Sequence, residues 1–421
     1  MKILTLSDVY FPRINGVSTS IATFHREFAA CGHETLLIAP HYGGESRPEP
    51  GILRIPARRV PFDPEDRMMT TRAIYQEALR LRSGGFDVLH VQTPFLAHRS
   101  GLKLGRLLGL PVIESYHTYF EEYLSHYVPF APRALMRLIA RRFSRAQCHQ
   151  VNCVVVPSTA MEETLRSYGV RTRIERIPTG LRMEEFAGAD GARFRRRFGI
   201  APERPTLVYV GRIAFEKNVG FLLRVLAEVR KVVPEVLLIF AGDGPAQPPL
   251  EQLAQRRGLS ENILFAGYQT YGPELWDCYR AGDVFVFASR TETQGLVLLE
   301  AMALKVPVVS TAVMGTREVL APGKGALIAE ENVGDFTRKV LFLLRHSGVR
   351  RFFGAAARQY AERWSAPAMA DRMLELYHEL IDDASRRARG SVPRRVPLQA
   401  GDGCSRLLLP EGEGMLPPYF P

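Results

Sequence analysis

The sequence predicts an α/β protein built from two doubly wound parallel sheets in series. Three observations carry this. Short β-branched runs alternate with longer stretches of helical periodicity. The alternation starts afresh after Pro202. And a chain of 421 residues exceeds what one hydrophobic core ordinarily supports.

The first series of strands is expected at residues 2–6, 34–39, 87–91, 112–116 and 154–156. The second is expected at 206–210, 236–241, 263–265, 284–287, 306–309 and 326–328. A split near Pro178-Thr179-Gly180 divides the chain into domains at 1–178 and 179–365. Within 367–381, Met369, Met373, Leu374, Leu376, Tyr377 and Leu380 recur at helical spacing and predict an amphipathic helix packed on a core. From about Ser385 the chain is rich in Pro, Gly and Arg without periodicity, so 385–421 reads as a flexible tail.

Hydrophobic residues make up 46% of the chain and charged residues 24%, which suits a soluble globular protein and excludes wholesale disorder. No apolar run approaches the ~18 residues that span a bilayer, and Asp8 interrupts the N-terminus before a signal-like stretch forms; a cytoplasmic location is expected. Five cysteines form no CxxC pair, as expected of free thiols in a reducing compartment, and no metal site is expected from them. A net charge of +11 implies an anionic partner: nucleic acid, a lipid surface or a phosphorylated substrate. Neither a nucleic-acid motif nor a cluster of basic and aromatic residues on one sheet face is present, so nucleic acid is not expected.

In doubly wound sheets ligands sit at the carboxyl ends of the strands, so the loops there hold the candidate site. After the first strand, Asn15-Gly16 gives backbone freedom ahead of a helix expected at 19–31, whose N-terminus favours anions; an ordinary βα turn would need the same glycine. After residues 206–210 comes Gly211-Arg212-Ile213-Ala214-Phe215-Glu216-Lys217-Asn218, opening a helix. Arg212 and Lys217 together can neutralise a diphosphate as its charge develops, although a solvated pair with Lys217 answering Glu216 is the plainer alternative for each alone.

The most specific constellation is Thr291-Glu292-Thr293-Gln294-Gly295-Leu296-Val297-Leu298-Leu299-Glu300, in which seven residues separate the two carboxylates. With a helix starting near Gly295, the free amides of Gly295, Leu296 and Val297 can bind phosphate oxygens. Glu292 then lies in the loop ahead and Glu300 about one turn in, leaning back toward the N-terminus. Glu300 also sits amid apolar neighbours, where an unpaired carboxylate is costly. His117, in Tyr116-His117-Thr118, follows a strand and reaches the cleft edge, though a lone histidine there is more often structural. Gly242-Asp243-Gly244-Pro245 is a further loop able to approach a ligand, and by itself a common turn.

Taken together, Gly-Arg-x4-Lys, the Glu-x7-Glu block and Tyr-His-Thr-Tyr-Phe-Glu-Glu-Tyr at 116–123 make the chain resemble glycosyltransferase family 4 up to about Asp383. The last motif is similar to the branch that glycosylates diacylglycerol-type membrane lipids. The resemblance implies a GT-B fold, two Rossmann-like domains facing across a cleft, with the helix at 366–384 returning to the first domain. It further implies a retaining hexosyltransferase using a nucleotide-sugar donor such as UDP-glucose or GDP-mannose, without metal or other cofactor. Arg212 and Lys217 would hold the diphosphate, Glu292 the sugar hydroxyls, Glu300 the ribose, and Gly295, Leu296 and Val297 would give backbone contacts. His117 would meet the sugar and Gly16 the diphosphate. Gly180-Leu181-Arg182 departs from the family, which carries Asp after the Gly, as does Leu275-Trp276-Asp277-Cys278.

The acceptor is expected to be a lipid or carbohydrate hydroxyl. Residues 132–146 interleave Leu135, Met136, Leu138, Ile139 and Phe143 with Arg133, Arg137, Arg141, Arg142 and Arg145, a pattern that suits either an anionic membrane surface or a helix with its apolar face in the core. An enzyme peripheral to the inner face of the cell membrane follows from the first option. A nucleotide-sugar epimerase and a non-catalytic nucleotide-sugar-binding protein are the alternatives on this fold. A dinucleotide oxidoreductase is disfavoured, since no Gly-x-Gly-x-x-Gly follows the first strand of either half.

Overall fold

The computed structural model describes residues 1–13, 15–43, 49–60, 63–117 and 133–390. The first half supplies β1 (Lys2–Leu6), β2 (Glu34–Pro40), β3 (Ile52–Ile55), a hairpin of β4 (Ala57–Val60) and β5 (Asp63–Met69), β6 (Val88–Val91), β7 (Val112–Ser115), β8 (Cys153–Val156) and β9 (Arg173–Arg176). Apart from the hairpin these form one sheet in the order β3-β2-β1-β6-β7-β8-β9, with every pair parallel. The second sheet comprises β10 (Thr206–Val210), β11 (Leu237–Ala241), β12 (Ile263–Gly267), β13 (Val284–Phe287), β14 (Val308–Thr311) and β15 (Ala326–Ala329), ordered β12-β11-β10-β13-β14-β15 and again parallel throughout. In each sheet the order reverses beside the first strand, between β1 and β6 and between β10 and β13. There the connections leave in opposite directions and a crevice opens.

Both sheets are buried on two faces, which is why their central strands read as continuous apolar runs: β6, β7, β10, β11 and β13 are buried along their whole length. β3, the hairpin and β9 are absent from the expectation. They are edge or accessory strands whose sequences, such as Arg-Ile-Glu-Arg in β9, carry charge where a central strand would carry apolar side chains.

Three helix boundaries also differ. The first helix spans Gly16–Ala30 rather than starting at Thr19, because Asn15 caps it by accepting from the Ser18 amide at 2.8 Å. After β10 the chain makes a 3-10 turn over Phe215–Lys217 before the helix Val219–Arg230 begins, since Asn218 takes a left-handed φ of 57°. The last helix, Ala366–Gly390, runs past Ser385, where a tail was expected; its final turns are charged and carry a 2.8 Å Arg386–Asp383 pair one turn apart. Residues 391–421 lie outside the described residues.

That last helix packs on the first sheet although it follows the second in sequence. Ala370, Met373, Leu374, Leu376, Tyr377 and Leu380 join Ile3, Phe24, Phe28, Val88, Ile113 and Val155 in one core. A buried polar chain runs through this contact: His90 Nδ1 lies 2.6 Å from the Tyr377 hydroxyl, and His90 Nε2 2.9 Å from Ser115 Oγ.

The chain therefore crosses between halves twice, and the two crossings lie side by side. The Leu181 amide donates to the Trp364 carbonyl at 2.6 Å and the Ala366 amide to the Leu181 carbonyl at 2.9 Å. Gly180 leaves no room there, since a Cβ would stand 2.5 Å from the Ala366 Cα and 2.6 Å from its nitrogen, both backbone atoms. Gly180→Ala should force the crossings apart and destabilise the protein by about 1–3 kcal/mol, read as a lowered urea midpoint at unchanged m-value.

Candidate active site

A cavity of about 800 Å³ opens where the carboxyl ends of the two sheets meet. The first half contributes Arg13, Asn15, Gly16, Thr19 and His117; the second contributes the loops after β10, β11, β12 and β13 and the start of the helix Leu296–Ala303. Of the residues expected at the site, Gly16, His117, Arg212, Lys217, Glu292, Leu296, Val297 and Glu300 all line it. Gly295 is not among the lining residues. It instead caps the helix with a left-handed φ of 95°, a conformation that favours glycine.

Lys217 and Glu292 do not act apart. The loop after β10 and the loop after β13 are adjacent because their strands pair, and Lys217 Nζ reaches Glu292 Oε2 at 2.8 Å. The pair is about one-fifth exposed on either side, so it is only partly screened by water. Lys217 thus answers Glu292 across the site, not the neighbouring Glu216. A bond from the Arg290 amide to the Glu216 carbonyl at 3.3 Å stitches the same two loops.

Arg212 is presented by a loop that the next one supports. The Ile213 amide donates to the Asp243 carbonyl at 2.8 Å and the Ala246 amide to the Ile213 carbonyl at 2.9 Å. A Cβ at Gly242 would stand 2.1 Å from the Gly211 carbonyl oxygen. The glycines after β11 therefore let one loop backbone approach another: their close partner is the Gly211–Ile213 segment.

Glu300 is 4% exposed, and its Oε2 accepts from the Tyr279 hydroxyl at 2.6 Å, which answers the cost of the apolar setting read from its sequence neighbours. Burial pushes its carboxyl up to about 7, with the nearby Glu292 adding to the rise and the Tyr279 bond opposing it. His117 sits across the cavity with Nε2 3.1 Å from Gln92 Oε1. Because an amide oxygen only accepts, Nε2 carries the proton and Nδ1 keeps its lone pair. Burial lowers the imidazole to about 4, so the ring is neutral near pH 7.

Several lining residues lie outside the motifs: Arg13, Tyr209, Tyr268, Gln269 and Tyr271. The last three occupy the loop after β12, and the rule that singled out the loops after β10 and β13 applies equally to that strand end. Among the described residues, no group of three or more His, Cys, Asp or Glu side chains is placed to hold a metal ion.

Two facing doubly wound sheets with a cavity at their joint define the GT-B glycosyltransferase fold. Superposition agrees: sucrose-phosphate synthase from Thermosynechococcus elongatus matches with a TM-score of 0.74 at 19% identity, over 91% of this chain and all of that one. Anabaena HepE in complex with UDP-glucose matches with a TM-score of 0.71 at 17% identity, over 90% of this chain and all of that one. Residues 14–185 match the model of Glycosyltransferase Family 4, and residues 190–360 that of Glycosyl transferases group 1. The alpha-monoglucosyldiacylglycerol synthase of Streptococcus pneumoniae is 34% identical over 74% of this chain and 71% of its own length. The GDP-mannose-dependent alpha-mannosyltransferase of Mycobacterium tuberculosis is 29% identical over 90% of this chain and 96% of its own. The chain belongs to glycosyltransferase family 4 and is a glycosyltransferase.

The Glu300 environment has a measurable consequence. A carboxyl raised above its ordinary 4.5 holds its proton more tightly in the folded than in the unfolded chain, so stability falls as pH rises from about 4.5 to about 7 and the loss is complete above that. At about 1.4 kcal/mol per unit, Glu300→Gln should be more stable than the parent by on the order of 3 kcal/mol at pH 8, with the difference shrinking toward pH 5 in unfolding titrations.

Proposed function

We propose that this glycosyltransferase transfers a hexose from a nucleotide diphosphate sugar to a lipid hydroxyl, with retention of anomeric configuration. The observation that carries the reading is the convergence of Arg212, Lys217, Glu292, Glu300 and a helix N-terminus on one cavity, with Gly16 and His117 opposite. Arg212 and Lys217 neutralise the diphosphate, and the amides at the start of the helix Leu296–Ala303 add dipole and hydrogen bonds to it. Glu292 accepts from sugar hydroxyls and Glu300 from the ribose. His117 orients the sugar from the other wall.

In the transfer step the acceptor oxygen bonds to the anomeric carbon on the face from which the diphosphate departs. The bond from that carbon to the phosphate oxygen breaks, and the departing oxygen takes the acceptor's proton. Stabilising the charge on that oxygen is the main demand, which fits a pocket whose charged lining includes paired cations. No metal is invoked, because Arg212 and Lys217 fill the cationic role.

The lipid acceptor rests on two supports. One is the 34% identity to a synthase named for a glucosyldiacylglycerol. The other is the helix Arg133–Cys148, where Leu135, Leu138 and Ile139 are 44–48% exposed and lie among the exposed Arg137, Arg141 and Arg142, while Ala140, Ser144 and Gln147 face inward. Apolar side chains interspersed with cations suit the surface of an anionic bilayer, each cation contributing about 1 kcal/mol. No described helix is long and apolar enough to cross a membrane; the helix Arg133–Cys148 would hold the enzyme peripherally at the inner face of the cell membrane. The rest of the motif at 116–123, from residue 118 on, lies outside the described residues.

Purified protein given labelled UDP-glucose or GDP-mannose, with and without diacylglycerol vesicles, should place label in the lipid extract with one of the two donors. Lys217→Met should lower that transfer about 10²–10³-fold; full transfer by the variant, or no label in lipid with either donor, contradicts the reading. Replacing Arg137, Arg141 and Arg142 together by Glu should abolish cosedimentation with vesicles containing anionic lipid, while unchanged binding removes the membrane role of this helix.

A further inference from the structure

The loop that carries Glu292 is held from both halves of the molecule. On its own side, the Gly315 amide donates to the Glu292 carbonyl at 2.9 Å, and Gly315 has no room for a Cβ, which would stand 2.0 Å from the Thr293 carbonyl oxygen. From the first half, Ser158 Oγ donates to that same Thr293 carbonyl at 2.7 Å. Gln294 then completes the junction. Its Oε1 accepts from the Thr179 amide at 2.9 Å, and its Nε2 donates to the Thr179 carbonyl at 2.7 Å.

A side-chain amide thus pairs with one residue's backbone as a neighbouring strand would. Gln294 is 7% exposed and Thr179 5%, so both bonds form away from bulk water, where leaving either group unpaired is costly. Thr179 lies at the first crossing between halves, and its hydroxyl meets Ser20 Oγ at 2.8 Å on the helix Gly16–Ala30, whose first residue lines the cavity. One continuous chain of bonds therefore links that helix, the crossing and the segment between Glu292 and Gly295. Although Gln294 lines the cavity, both ends of its amide are engaged by Thr179.

We propose that Gln294 is a positioning residue that sets Glu292 through the docking of the two halves, so that the sugar-binding carboxylate is in register only while the first half is seated against it. The inference rests on the function proposed above. It predicts an uneven effect: Arg212 and Lys217 stand on the loop after β10, so a shift of the Glu292 segment reaches diphosphate binding only indirectly, through the Lys217–Glu292 pair, whereas sugar orientation depends on that segment directly. Misplacement of a reacting group by about 1 Å costs on the order of 100-fold in rate.

Gln294→Leu keeps the bulk and removes both bonds. With whichever of UDP or GDP the parent binds, calorimetry should give a Kd within about twofold of the parent, while kcat for transfer falls about 100-fold. Gln294→Glu can still accept from the Thr179 amide but no longer donates, and should lie between the two. Ser158→Gly removes the bond to Thr293 while sparing most of the helix cap, and should lower kcat in the same direction. Combined with Gln294→Leu it should add less than its separate effect, because both act on one loop. Should Gln294→Leu not fold, Ser158→Gly decides alone: a lower kcat at unchanged Kd supports the inference, and an unchanged kcat overturns it. Unchanged kcat in Gln294→Leu, or a loss of nucleotide affinity matching the loss of kcat, also overturns it. A parent that binds neither nucleotide and transfers no sugar overturns the underlying function, and this inference with it.

Discussion

The site depends on one geometric constraint: β10 and β13 are hydrogen-bonded neighbours although they are separated in sequence by two other strands. Parallel pairing puts their carboxyl ends at the same edge, so the loops that leave them touch. Lys217 and Glu292, 75 residues apart in the chain, become an ion pair at 2.8 Å for that reason alone. Everything else in the cavity is arranged around this contact, with the loop after β11 bracing the Arg212 segment and the helix after Gly295 bringing Glu300 in from below.

That contact also explains how charged side chains are tolerated in a cavity whose lining is mainly apolar. Each expected group with a resolved partner is compensated within the protein: Lys217 by Glu292, Glu300 by Tyr279, His117 by Gln92. Uncompensated, a carboxylate as buried as Glu300 would cost several kcal/mol. A ligand has to exchange its own groups for these internal partners, which favours a molecule offering anionic oxygens and hydroxyls together over one offering either alone.

Much of this was legible in the sequence, and for identifiable reasons. The central strands are buried on both faces, so they stand out as apolar runs, and the strand-end rule then led to Arg212, Lys217, Glu292 and Glu300. What could not be read depends on pairing across the fold. Nothing in Gly-Arg-x4-Lys says that its lysine meets a glutamate beyond β13. The charged edge strand β9 and the β4–β5 hairpin have no apolar periodicity to betray them. Gln294, between two motif residues, carries no chemical signature until Thr179 is seen opposite it. The tail boundary differs because residues 385–387 of the helix Ala366–Gly390 are exposed and polar and read like linker.

The side-by-side crossings at Leu181 and Ala366 make the second half an insertion within the first, tethered at both ends like a bead on a closed loop. Such a tether suppresses sliding and separation and leaves rotation about the short axis through the two crossings as the compliant motion. It also ties the integrity of the first core to chain that is synthesised only after the whole second half: until the ribosome has released the segment bearing Met373, Tyr377 and Leu380, the sheet face they cover stays open, and the nascent N-terminal half must wait, exposed, for its own lid.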